Sequence, residues 1–187
     1  MRLLPIFKPA DWNGPERGAL VHLWLGDADD PLVFVAYGWE DDEDLSYVTS
    51  HSDEPDNVVR KAFSNLEQTP AHFDVIDKGE ARLVVGAGHP FAAERVLSEA
   101  FMARVHDALG HHEVIVSIPR RGAMLACASN CSPDARQVLL DLHREGCRSA
   151  SPNNRITDQL IVYRSAVKST FLPVDEHGDV FGWHVRP

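Results

Sequence analysis

Cysteine is scarce in this chain: only Cys127, Cys131 and Cys147 occur among 187 residues. An odd count without a secretion signal argues for reduced thiols rather than a disulfide framework. Long apolar runs are missing too. None approaches the roughly 18–20 residues that span a bilayer. Pro5 and Lys8 interrupt the N-terminal stretch before a signal-peptide core can form. A soluble cytoplasmic protein with no membrane partner is expected. Basic residues are outnumbered, 18 Lys and Arg against 28 Asp and Glu, for a formal net charge of −10. Phosphate binding needs clustered Lys and Arg, so nucleic acid is not the expected partner. Catalytic signatures are absent as well: there is no H-E-x-x-H, no zinc-ribbon spacing and no G-x-S-x-G. "VVGAGHP" (84–90) holds G-x-G without the third glycine of a dinucleotide turn. It reads as a tight turn into a helix. No cofactor and no metal site are expected.

Acid is what the chain has in excess, and it is concentrated. Between Asp27 and Val59 lie eleven carboxylates and neither Lys nor Arg. Such a block is either a solvated, solubilising face or a docking surface for a basic protein, with Asp41, Asp42, Glu43 and Asp44 at its centre. A calcium loop fits poorly, because "DADD" and "EDDED" lack the spaced ligands and distal glutamate that calcium requires.

Periodicity supplies the elements. Alternation of β-formers marks strands at 20–26 and 32–39, with a third at 45–51. Residues 52–69 read as a helix capped by Ser52 or Asp53. "FDVID" and "ARLVVGAG" make a hairpin across "KGE". Residues 90–109 read as one helix, opened by Pro90 and closed by Gly110. "EVIVSI" and "AMLACA" flank Pro119-Arg120-Arg121-Gly122, a turn that presets a hairpin. Their continuous apolar character places them centrally in the sheet. Another helix starts at Ser132 and exits at Gly146, and late strands follow at "QLIVYRSAV" and "VFGWHV". Strand pairs followed by helices, without a βαβ rhythm, predict an α+β fold: a mainly antiparallel sheet with about three helices packed on it. The expected organisation is a single domain over 1–187, with 149–187 as a C-terminal extension.

Each candidate for chemistry has a plainer reading beside it. His111, His112 and Glu113 are adjacent, and neighbours on a strand face opposite ways, so they chelate one ion poorly. Adding His51, His89, His106 or His184 requires contacts that only a fold can supply. Cys131 sits just before a helix N-terminus, which favours thiolate, yet Cys127-x-x-x-Cys131 lacks redox spacing. Small half-buried thiols are the plainer reading. Ser117 lies within a strand and is expected to be structural. Glu94 with Arg95 fits surface pairing as readily as a site. Arg120 and Arg121 could hold a carboxylate or phosphate bidentately, or simply place charge in water at a hairpin tip.

Taken in order, "LLPIFKP", "LVFVAYGWEDDEDLSYVTS", "VVRKAFSNLEQ", "FAAERVLSEAFMARVHDALG", "VIVSIPRRGAMLACA" and "PDARQVLLDLHRE" resemble the YtpQ-like family of bacterial proteins, over roughly residues 3–145. That family has no established activity. The resemblance implies a bacterial cytoplasmic α+β protein and matches Asn65, Arg95, Pro119 and Arg120, and it carries no catalytic residue. Three functions stay open. The first is a non-enzymatic module that docks a basic protein through the acid block. The second is a small-molecule hydrolase or transferase using His111, His112, Glu113 and Asp134. The third is self-association as a homodimer through a strand edge.

Overall fold

The computed structural model describes residues 2–26, 31–40, 45–49, 55–78, 81–164 and 172–174. Among them, ten strands and three α-helices build an α+β protein with two antiparallel sheets rather than one. The first sheet comprises β1 (Arg2–Pro9), β2 (Val21–Gly26), β3 (Pro31–Glu40) and β4 (Leu45–Tyr47). β3 is its spine, with β1 along one side and β2 followed by β4 along the other.

β1 was not expected, because two prolines interrupt it. It is nevertheless paired throughout, from Arg2 opposite Glu40 to Pro9 opposite Val33. Among the described residues only β3 is bonded to it, so Pro5 and Pro9 sit on an edge strand where a missing N–H breaks no ladder. Leu3 through Phe7 are nonetheless buried on both faces. Helix α1 (Pro55–Glu67) packs on this strand, and Asn65 Nδ2 donates to the Leu3 carbonyl at 2.9 Å.

The second sheet has the order β10-β9-β7-β8-β6-β5. Its strands are β5 (His72–Lys78), β6 (Ala81–Ala87), β7 (Glu113–Ser117), β8 (Met124–Ala128), β9 (Leu160–Arg164) and β10 (Leu172–Val174). The β7–β8 hairpin is central as expected, with Val114 opposite Ala128 and Ser117 opposite Leu125. Alternation sorts the side chains. Leu83, Ile115, Cys127 and Val162 pack with Leu139 and Leu140 of α3 (Pro133–Ser149). Val84, Val114, Val116 and Ala126 face the larger core, which they share with Phe101, Met102 and Val105 of α2 (Glu99–Leu109) and with Leu3, Phe7 and Val35 of the first sheet.

Two helix boundaries differ from expectation. The stretch 90–109 is not one helix: a 3-10 turn at Ala93–Leu97 precedes α2, and Ser98 separates them with extended dihedrals. Ser98 Oγ accepts from Phe101 N and donates to Glu67, so capping and a tertiary bond outweigh the apolar stripe that suggested continuity. Nor does α3 stop at Gly146. It runs to Ser149, and Gly146 is a contact residue, where an added Cβ would come within 2.5 Å of the Pro119 ring. Ser132 caps this helix by accepting from Ala135 N, and Gly110 closes α2 at φ 63°, both as expected. The helix caps at Ser52 and Asp53 and the strand at "VFGWHV" lie outside the described residues, and β10 is a late strand that was not foreseen. No helix among the described residues is long and apolar enough to cross a membrane.

Candidate binding site

The site forms where the end of β1, the tip of the β7–β8 hairpin and the 3-10 turn meet. An edge strand leaves alternate N–H groups without a ladder partner. At Phe7 that group donates to Glu94 Oε1, at 3.0 Å and across 87 residues of sequence. Glu94 is wholly buried, and its Oε2 has no hydrogen-bond partner. Burial drives its pKa up to about 7, opposed by the Phe7 N–H and by the charges of Arg121 and Lys8. An orphaned carboxylate oxygen is expensive, on the order of 1–3 kcal/mol or more.

Next to Phe7, Lys8 points its ammonium at two rings, 5.5 Å from the Trp12 centroid and 5.3 Å from that of Tyr47. Those rings are 5.1 Å apart and tilted by 47°. Burial, then the charge of Arg121, lowers the Lys8 pKa, while Glu94 opposes them. Burial raises that of Tyr47, whose phenol also feels Arg121 and Glu94. Arg121 is no free tip. Its guanidinium carbon is 4.8 Å from the centroid of the Phe91 ring, its Nε is buried without a partner, and its backbone N–H donates to Asn154 O at 2.8 Å. Among the described residues, neither Lys8 nor Arg121 forms an ion pair. Two half-buried cations and one buried carboxyl therefore sense each other's charge without closing a salt bridge. Beyond the Trp12–Tyr47 wall lies a cavity of about 230 Å³, edged also by Arg17, Val48 and Thr49. The ring faces stabilise the two cations, and it is the cations that can attract an anionic group.

Other candidate residues fall elsewhere. Arg120 is exposed and forms an isolated bridge to Arg155. Asp41, Asp42, Glu43 and Asp44 lie outside the described residues, as do His51 and His184. His111 and His112 precede β7 and do not face opposite ways. They lie between the left-handed Gly110 and the start of β7 at Glu113, and their rings stack at 4.7 Å. Glu113 is held by Arg164 at 2.6 Å, which keeps its carboxyl below the usual range despite burial, and Asp134 is exposed in the first turn of α3. Among the described residues no three His, Cys, Asp or Glu side chains gather as metal ligands.

Ser117 has no solvent access, and its hydroxyl lies 2.9 Å from His143 Nδ1. His143 Nε2 lies 3.0 Å from the Asp158 carbonyl, which can only accept, so Nε2 carries the proton and Nδ1 accepts from Ser117. This pair ties β7 to α3. Glu94 and Arg95 are not a surface pair: both are buried and point apart, Arg95 Nη1 donating to the Leu66 carbonyl. Asn65, Arg95 and Pro119 thus each join distant segments, Pro119 also accepting from Ile156 N at 3.1 Å. Lys8, Trp12 and Tyr47 were missed because no motif links them, and Glu94 was weighed only together with Arg95. The one local signal was an acid–base dipeptide beside buried apolar neighbours. Set against known proteins, the chain matches no family model, no curated protein and no solved structure.

Proposed function

We propose that this protein is a binding module whose engagement is electrostatic, and that the Lys8–Arg121 cradle receives a carboxylate or phosphate group. The carrying observation is the pair of half-buried cations without an ion pair beside the orphaned Oε2 of Glu94. Desolvated charge of that kind is costly unless a partner group completes it. With Glu94 ionised the three groups sum to +1, and with it protonated to +2, so an anion is favoured either way.

Titration of the full chain with sodium phosphate and with sodium benzoate, at constant ionic strength, tests this. Either anion should raise the melting temperature, and Lys8→Ala or Arg121→Ala should abolish the rise while Arg120→Ala keeps it. Equal behaviour of Arg120→Ala and Arg121→Ala would sink the assignment, as would no response to either anion. Stabilisation by phosphate alone identifies a phosphate ligand, and by benzoate alone a carboxylate.

A second reading rests on the eleven carboxylates between Asp27 and Val59, which suit a basic protein partner. Retention of a defined basic protein, lost as salt shortens the Debye length below about 10 Å, supports it. Turnover of a generic ester or phosphate ester would overturn the binding reading of this site in favour of a hydrolase. Membership of the YtpQ-like family and a cytoplasmic location are part of the same proposal. The matched residues Asn65, Arg95 and Pro119 support it as joints of the fold.

A further inference from the structure

At the opposite end of β8 from Arg121, the chain leaves the sheet at Ala128, turns, and enters α3. Two sulfurs meet across that turn. Cys127 Sγ and Cys131 Sγ are 3.5 Å apart. Cys127 is fully buried beneath α3, among Leu139, Leu140 and Ile115, whereas Cys131 is partly exposed. Cys131 directly precedes the Ser132 cap of α3, and one turn later Arg136 folds back over the loop to donate from Nη2 to Ser129 O at 3.1 Å. The Arg136 Nε is buried without a partner. A buried thiol, a guanidinium and a helix N-terminus thus surround one accessible sulfur.

We propose that Cys131 and Cys127 form a redox-active dithiol that reduces small hydroperoxides, with Cys131 as the attacking sulfur and Cys127 as the resolving one. The Cys131 thiolate attacks the distal oxygen of ROOH. The O–O bond breaks, ROH leaves with a proton from solvent, and Cys131 becomes a sulfenic acid. The Cys127 sulfur then attacks the Cys131 sulfur, the S–O bond breaks, and the oxygen leaves as water with the Cys127 proton. In sum, two thiols and ROOH give a disulfide, ROH and water, each sulfur losing one electron and the two peroxide oxygens gaining them. Closing the bond brings the sulfurs about 1.5 Å nearer, to the ~2.0 Å of a disulfide. Two molecules of a low-molecular-weight thiol return the pair to the dithiol state and leave as their own disulfide.

The electrostatics agree with these roles. The hydrogen bond shared with Cys127 and the charge of Arg136 hold the Cys131 pKa down, against the effect of burial. The same hydrogen bond, with burial, holds Cys127 protonated. Cys147 is pushed up, chiefly by burial.

Thiolate fraction and intrinsic nucleophilicity oppose one another. A thiol at its ordinary 8.5 is only about 0.3% thiolate at pH 6, so a lowered pKa raises the reactive fraction by more than the lost basicity costs. Alkylation by iodoacetamide at pH 6 should therefore run several-fold faster at Cys131 than at Cys147 or in glutathione. Equal rates at Cys131 and Cys147 in the unmutated chain would overturn the proposal without any variant.

One equivalent of hydrogen peroxide, added to the reduced full chain, should lower the free-thiol count from three to one. The new bond should map within the chain to Cys127–Cys131. Cys127→Ser should stop at a sulfenic acid on Cys131, captured by dimedone, and Cys147→Ser should close the bond as the unmutated chain does. A bond to Cys147, a bond between chains, or survival of all three thiols refutes the dithiol.

Discussion

Glu94→Gln is the most informative single change, because it keeps the shape of the site and removes one buried charge. Glu94 is inaccessible to solvent, and its carboxyl titrates near 7 in the folded protein against 4.5 ordinarily. The sign follows from proton counts. The unfolded chain loses this proton near 4.5, while the folded state keeps it until about 7. Across that window the folded state holds the extra proton, so stability falls as pH rises, and above the window the deficit is constant. Each pH unit is worth about 1.4 kcal/mol, so the total is about 3 kcal/mol. Glutamine cannot ionise, and its carbonyl still accepts from Phe7 N. Glu94→Gln should therefore match wild type near pH 4.5 and exceed it by up to about 3 kcal/mol at pH 8. At roughly 2–4 °C per kcal/mol for a chain of this size, that is about 6–12 °C in melting temperature. Thermal unfolding at half-unit steps from pH 4.5 to 8.5 measures it, as the difference between variant and wild type. A flat difference curve, or a variant less stable than wild type at pH 8, refutes the reasoning, since the charge of Glu94 would then be compensated by the cations around it.

Four other outcomes follow from the buried contacts. Burial holds the His143 pKa below its ordinary 6.5, so the unfolded chain binds the extra proton and stability is lost as pH falls from that value through the folded one. His143→Gln should remove this dependence, which runs opposite to that of Glu94, so difference curves are needed to separate the two. Ser117→Ala leaves His143 Nδ1 without its donor and should cost about 1–3 kcal/mol by urea unfolding. Arg95→Met removes the charged donor to the Leu66 carbonyl, which keeps only Thr69 N at 2.9 Å, and removes the guanidinium 5.2 Å from the Phe101 centroid. It should lower the urea midpoint by an equivalent of about 1–3 kcal/mol with an unchanged slope. Gly146→Ala drives a methyl into the Pro119 ring and should cost about 1–3 kcal/mol, whereas an ordinary solvent-facing helical glycine would gain on the same change.

The parts of the fold legible in the sequence are those with short-range causes. The β7–β8 hairpin announced itself through matched apolar runs about Pro119 and Gly122. Gly110 and Ser132 are local devices, and they act where expected. β1 stayed hidden because its prolines are acceptable only on an edge, and which strand is an edge depends on the whole sheet. The break at Ser98 stayed hidden because Glu67, 31 residues earlier, is part of its cause.

Composition, charge and local periodicity were thus enough to specify an acidic α+β chain, most of its strands and two of its helix ends, at Gly110 and Ser132. They could also show that Arg121 and Cys131 sit at turns. That Arg121 faces Glu94 and Lys8, and that Cys131 faces Cys127 beneath a guanidinium, depends on how the sheets and helices stack. The reactivity of a side chain is set by which groups share its low-dielectric surroundings, and here those groups come from segments as far apart as Phe7 and Glu94. Only packing brings them together.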